Sequence, residues 1–121
     1  MTIDELMKEA FRIGQEHGFH ANEGVGEERA RHIPGKIALI HSEASEALEH
    51  YRNGNSGAKL NEIWFQSDKP DKPDGFAVEL ADVVIRVADL AAMFDIDLTA
   101  AVKAKMKYNE SRSHLHGGKK C

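Results

Sequence analysis

A chain of 121 residues, with 20 acids against 16 lysines and arginines and a formal net charge of −4, has the length of one domain with a modest core. The charge balance excludes nucleic acid or an anionic membrane surface as an electrostatically recruited principal partner. Its one cysteine, Cys121, excludes an internal disulfide and suits a reducing, cytoplasmic setting.

The start, MTIDELMKEAF, places acids where a secretion signal needs a basic, then apolar, run, and no later stretch is long and apolar enough to span a bilayer. Thr2 and Glu5 instead spell a capping box, and Ile3, Leu6, Met7, Ala10, Phe11 and Ile13 keep a helical period, which predicts a helix over 3–17. Gly18 to Gly35 has no clean period and predicts a loop with one short helical turn at Glu27 to Arg31. Pro34 suits a first helical position, and Ile37, Ile40, Ala44, Ala47, Leu48 and Tyr51 carry a second helix to Arg52. From Asn55 to Asp74, where Trp64 and Phe65 precede the run SDKPDKPDG, the reading is one long loop without strands. A third helix runs from Gly75 to Phe94 with Asp74 as its N-cap, and Asp97 caps a fourth from Leu98 to about Arg112. Residues 113–121, SHLHGGKKC, predict a mobile tail. The expected class is all-α: a single domain over residues 1–121, built as a bundle of four to five helices.

The third helix is apolar nearly all round, yet it carries Glu79, Asp82, Arg86 and Asp89 along one flank. Ionised carboxylates are seldom withdrawn from water without a partner or a metal. The second helix has a matching pair in Glu43 and Glu46. Three-residue spacing alone decides little, since Glu46/Glu49, Asp68/Asp71 and Asp71/Asp74 share it. Position on the helix decides more. At about 100° per residue, Glu43 and Glu46 lie roughly 85° and 145° from the apolar centre of their helix. Glu79 and Asp82 lie about 80° and 140° from theirs, on the same side. Leu39, Val78 and Ile85 stand at or beyond the acids, so the carboxylates occupy stripes bordered by apolar residues. Packed together, the two helices gather four carboxylates whose repulsion opposes folding until a hard cation, Mg²⁺ or Mn²⁺, relieves it. A di-iron bundle needs Glu-x-x-His pairs, which are absent; Glu46 and His50 are four apart, and His50 is expected to be a partly exposed residue near a helix end.

On the fourth helix Lys105, Asn109 and Arg112 fall on one face, a point charge, an amide and a guanidinium fork suited to a triphosphate and its sugar. In this order, HSEASEALEHYR, GFAVELADVVIRVADLA and KMKYNESR resemble the MazG-like, all-α nucleoside triphosphate pyrophosphohydrolases, over about residues 34 to 118. The resemblance implies Mg²⁺-dependent cleavage between the α and β phosphates of a nucleoside triphosphate, giving a monophosphate and pyrophosphate. It implies metal ligation by Glu43, Glu46, Glu79 and Asp82, phosphate or sugar contacts from Lys105, Asn109 and Arg112, and a homodimer or homotetramer with composite sites. The family's usual adjacent acid pair is broken by Ser42, which leaves Glu43 to act as both ligand and base.

On this reading Glu43 or Glu46 deprotonates the attacking water, and Lys105 and Arg112 stabilise the departing pyrophosphate. Lys36, on the acidic flank, is placed to reach the acids or the phosphates. Trp64, with Phe65, His17, Phe19 and His20, is the candidate aromatic wall for a nucleobase. The rival reading is a non-catalytic helical interaction protein whose acidic and basic stripes pair across a subunit interface.

Overall fold

The computed structural model describes residues 1–112; the tail expected at 113–121 lies outside them. Helix α1, Ile3–Glu16, starts on the capping box: Thr2 Oγ1 accepts the Glu5 N–H at 3.0 Å, and Glu5 Oε1 accepts the Thr2 N–H at 3.2 Å. The expected short turn is a helix, α2, at Gly26–Ala30. Helix α3, Ile33–Arg52, starts one residue before Pro34, which sits in the first turn where its missing N–H costs nothing. Helix α4 spans Phe76–Met93, and α5 spans Leu98–Ser111 behind Asp97, whose carboxylate accepts the Ala100 N–H at 3.0 Å. The all-α class is borne out.

Two expectations for the segment before α4 are corrected. It is not strandless: after a 3-10 turn at Gly57–Asn61, β1 (Trp64–Phe65) pairs antiparallel with β2 (Pro73–Asp74), Trp64 opposite Asp74 and Phe65 opposite Pro73. Proline is tolerated at Pro73 because a two-stranded ladder is all edge, and Pro70 between the strands only helps the chain turn back. Nor is Asp74 the N-cap of α4. Gly75 is, at φ 128°, while Asp74 Oδ1 accepts the Gly75 N–H at 2.8 Å. A Cβ on residue 75 would meet Glu62 O at 2.6 Å and the Trp64 ring at 3.1 Å, so the chain enters α4 by a conformation glycine alone adopts easily.

Helix α4 is the centre of the molecule, with α3 and α1 both packed against it and α5 resting on α1, where Thr99 donates to Asp4 at 3.1 Å. His50 meets Glu79 while Glu43 meets Arg86, so α3 and α4 run antiparallel. The buried apolar seam is made of small residues, Ala10, Ala47, Ala88 and Ala91, with Met93 at its end. Larger apolar side chains stay outside: Leu39, Leu48 and Tyr51 of α3 and Leu80, Val84 and Ile85 of α4 are 43% to 57% exposed. Among the described residues no helix is long and apolar enough to cross a membrane.

Candidate metal centre

The antiparallel pairing of α3 and α4 brings the two acidic stripes face to face. One carboxylate oxygen from each of Glu43, Glu79 and Asp82 lies within 4.8 Å of the other two. Glu46, one turn along α3, is exposed and stands outside that trio, though it is near enough to Glu79 to raise its pKa. Glu79 is only 8% exposed, and its Oε2 has no hydrogen-bond partner. Burial first, then the nearby Glu46 and the charges of Asp82 and Glu43, push the Glu79 carboxyl up to about 8. Burial also raises Asp82, helped by Glu43 and opposed by Arg86. A buried, unpaired oxygen among converging acids is what a hard divalent cation satisfies, so the donor set fits Mg²⁺ or Mn²⁺.

Two cations reach this groove from the same chain. Arg86 Nε donates to Glu43 Oε1 at 2.7 Å. Lys72, delivered by the hairpin, weakly lowers Asp82 and shares a cavity of about 290 Å³ with Glu46, His50, Asp74 and Glu79. Arg86, read on the same flank as the acids, thus makes a direct ion pair with Glu43, whereas nothing in the local sequence marked Lys72.

His50 is partly exposed near the end of α3, as expected, but it also faces the acids. Its Nε2 lies 3.0 Å from Asp74 Oδ1 and 3.6 Å from Glu79 Oε1, with its side chain 20% exposed. Glu43, Glu46 and His50 follow one another at three and four residues, one continuous face of α3, and that was the available signal. Trp64 packs edge-on against the His50 ring, centroids 5.4 Å apart, and over Gly75. This sets the tryptophan beside the acids. The Asp74 carboxyl is held low by the Gln66 amide at 2.9 Å, with the Gly75 N–H and His50 adding to it against the effect of burial.

Other candidates are placed elsewhere. Lys36 Nζ donates to Glu23 Oε1 at 2.7 Å instead of reaching the four acids, and His20 bridges Glu23 (3.0 Å) and Asp89 (2.9 Å) while stacking on Phe11. Burial pushes Glu23 upward, but the hydrogen bonds from Lys36 and His20 prevail and hold it low. Asp89 therefore bonds to this neighbouring network, while it also lines a cavity of about 330 Å³ with Glu43, Asp82 and Arg86. Lys105 and Arg112 flank the Tyr108 ring on α5, at 4.9 and 5.6 Å. Asn109 is exposed on the same helix. Among the described residues, none of these three has a hydrogen bond or ion pair to Glu43, Glu46, Glu79 or Asp82.

A dATP/dGTP diphosphohydrolase of Cyanophage S-2L is 32% identical to the chain over 88 residues, which cover 67% of the chain and 80% of that protein. No family model and no solved structure matches the chain.

Proposed function

The chain belongs to the family of the Cyanophage S-2L dATP/dGTP diphosphohydrolase, and from that premise we propose that it is a MazG-like nucleotide pyrophosphohydrolase. It cleaves the α–β phosphate bond of a (deoxy)nucleoside triphosphate and releases a monophosphate and pyrophosphate. The observation that carries this reading is the convergence of Glu43, Asp82 and the buried Glu79, whose Oε2 is unpaired. The relative's name makes purine deoxynucleoside triphosphates the first substrates to test.

Glu43, Glu46, Glu79 and Asp82 are the residues that would hold Mg²⁺, with Mn²⁺ as a substitute. When bound, the ion supplies Lewis-acid polarisation of a phosphoryl oxygen and lowers the pKa of a nearby water. Glu43 is held by Arg86, while Glu46 is exposed and faces Glu79. Glu46 is therefore the base assigned to take the proton from the attacking water. Arg86 and Lys72 keep positive charge at the groove, and Trp64 walls its end beside His50.

Lys105, Asn109 and Arg112 stand apart from the acids of their own chain, and we assign them to the phosphates and sugar of a substrate bound across two copies. The exposed apolar residues of α3 and α4 give such a homodimer or homotetramer its contact surface.

The test is a panel of nucleoside triphosphates, headed by dATP and dGTP, incubated with the protein and Mg²⁺ and resolved into products. Pyrophosphate with monophosphate is expected, falling at least about 10²-fold in Glu46→Gln. Release of orthophosphate and a diphosphate would overturn attack at the α-phosphate. No turnover of any triphosphate would overturn the hydrolase reading and favour the interaction protein.

A further inference from the structure

The carboxylate groove has a second set of neighbours with different chemistry. His50 Nε2 stands 3.0 Å from Asp74 Oδ1 and 3.6 Å from Glu79 Oε1, and one donor atom from each residue lies within 4.8 Å of the other two. Ligand atoms bound about 2.1 Å from one ion sit roughly 3.0 to 3.5 Å apart at octahedral or tetrahedral angles. Two of the donor separations, 3.0 and 3.6 Å, are at or near that spacing, and the third is within 4.8 Å.

They come from three elements, and each is fixed in place. His50 ends α3 with Trp64 against its ring. Asp74 closes β2, its carboxylate oriented by Gln66 at 2.9 Å and the Gly75 N–H at 2.8 Å. Glu79 lies in the first turn of α4. The amide of Asn55, 3.5 Å from His50 Nδ1, can turn its oxygen to accept an Nδ1–H, which is how a ligating histidine frees its Nε2 lone pair. An ion pair between His50 and Asp74 does not account for the whole arrangement. It leaves Glu79 Oε2 buried and without a partner.

We propose that His50, Asp74 and Glu79 form a second cation site, which shares Glu79 with the carboxylate groove and selects a first-row transition ion such as Mn²⁺ over Mg²⁺. Imidazole nitrogen is a softer donor than carboxylate oxygen, and its presence shifts preference from Mg²⁺ toward the transition series. Glu79 then bridges two positions, the arrangement in which paired ions clamp a phosphoryl group. Any part of this site in catalysis rests on the hydrolase reading; its existence as a cation site does not.

The full chain, stripped with chelator, is titrated with Mn²⁺ and followed by electron paramagnetic resonance, with pulsed spectra read for nitrogen coupling from a bound imidazole. About two ions per chain are expected, one of them nitrogen-coupled. His50→Gln, which keeps the other histidines, should abolish the coupling and weaken that ion by about tenfold or more. Asp74→Asn should weaken the same ion, and Glu43→Gln should spare it, each variant being checked for helix content by circular dichroism. Absence of nitrogen coupling in the unmodified protein overturns the site without need of any variant. So does coupling that survives His50→Gln. Failure of the hydrolase reading looks different: both ions bind, and no triphosphate is turned over.

Discussion

At pH 7 Glu79 keeps a proton that a carboxyl group in water has already lost. In the chelated protein the unfolded chain releases this proton near 4.5, whereas the folded chain holds it until about 8. Between those values the unfolded state binds fewer protons, so stability is greatest on the acid side and falls as pH rises across the window. Glu79→Gln is uncharged in both states and removes the fall. Its thermal midpoint in chelator should exceed the parent's at pH 8 by about 4 °C or more, with the two converging near pH 4.5. A parent midpoint that stays flat across this range contradicts the cost of burying this acid. The four acids were legible because helical periodicity fixes angular position, and Glu43, Glu46, Glu79 and Asp82 share one offset on two helices. His50 was legible in principle as the next member of the Glu43–Glu46 face. Lys72 and Asp74 were not, because a fold-back of the chain brings them in, and the His20–Asp89 contact joins residues 69 apart.

The boundary between the hairpin and α4 depends on one residue. Gly75 sits at φ 128°, and an added methyl group would press on the Glu62 carbonyl and the Trp64 ring. Gly75→Ala should cost about 2 kcal/mol, seen as a lower urea midpoint at unchanged slope. It should also loosen Trp64 from His50, and an unshifted midpoint would show that the α4 entrance relaxes freely. Helix ends written in short polar motifs were readable, as Thr2 with Glu5 and Asp97 with Ala100 demonstrate. The start of α4 was misread because Asp74 has an N-cap's chemistry, yet pairing with Trp64 holds it in the ladder and passes the turn to Gly75. The ladder itself, two residues per strand, is too short for any alternation to register.

On the scale of the whole molecule, α4 has more apolar surface than one chain covers. Leu80 and Val84, 47% and 52% exposed, are one turn apart on its outer side. Replacing both with aspartate should reduce the light-scattering mass to that of a single chain and lower triphosphate turnover, if α5 cations from a second copy complete the site. An unmodified protein that already runs as a single chain would overturn this assignment. The sequence anticipated the surplus from a helix apolar nearly all round. It gave no sign of how little the chain buries by itself, because that depends on which faces α1 and α3 cover. The seam among α1, α3 and α4 is built mainly from alanines, which offer little area each, while larger apolar side chains of α3 and α4 stay exposed. If the proposed homo-oligomer covers them, protein concentration acts on folding as a ligand does: melting temperature should climb with chain concentration by mass action, and dilution alone should lower it.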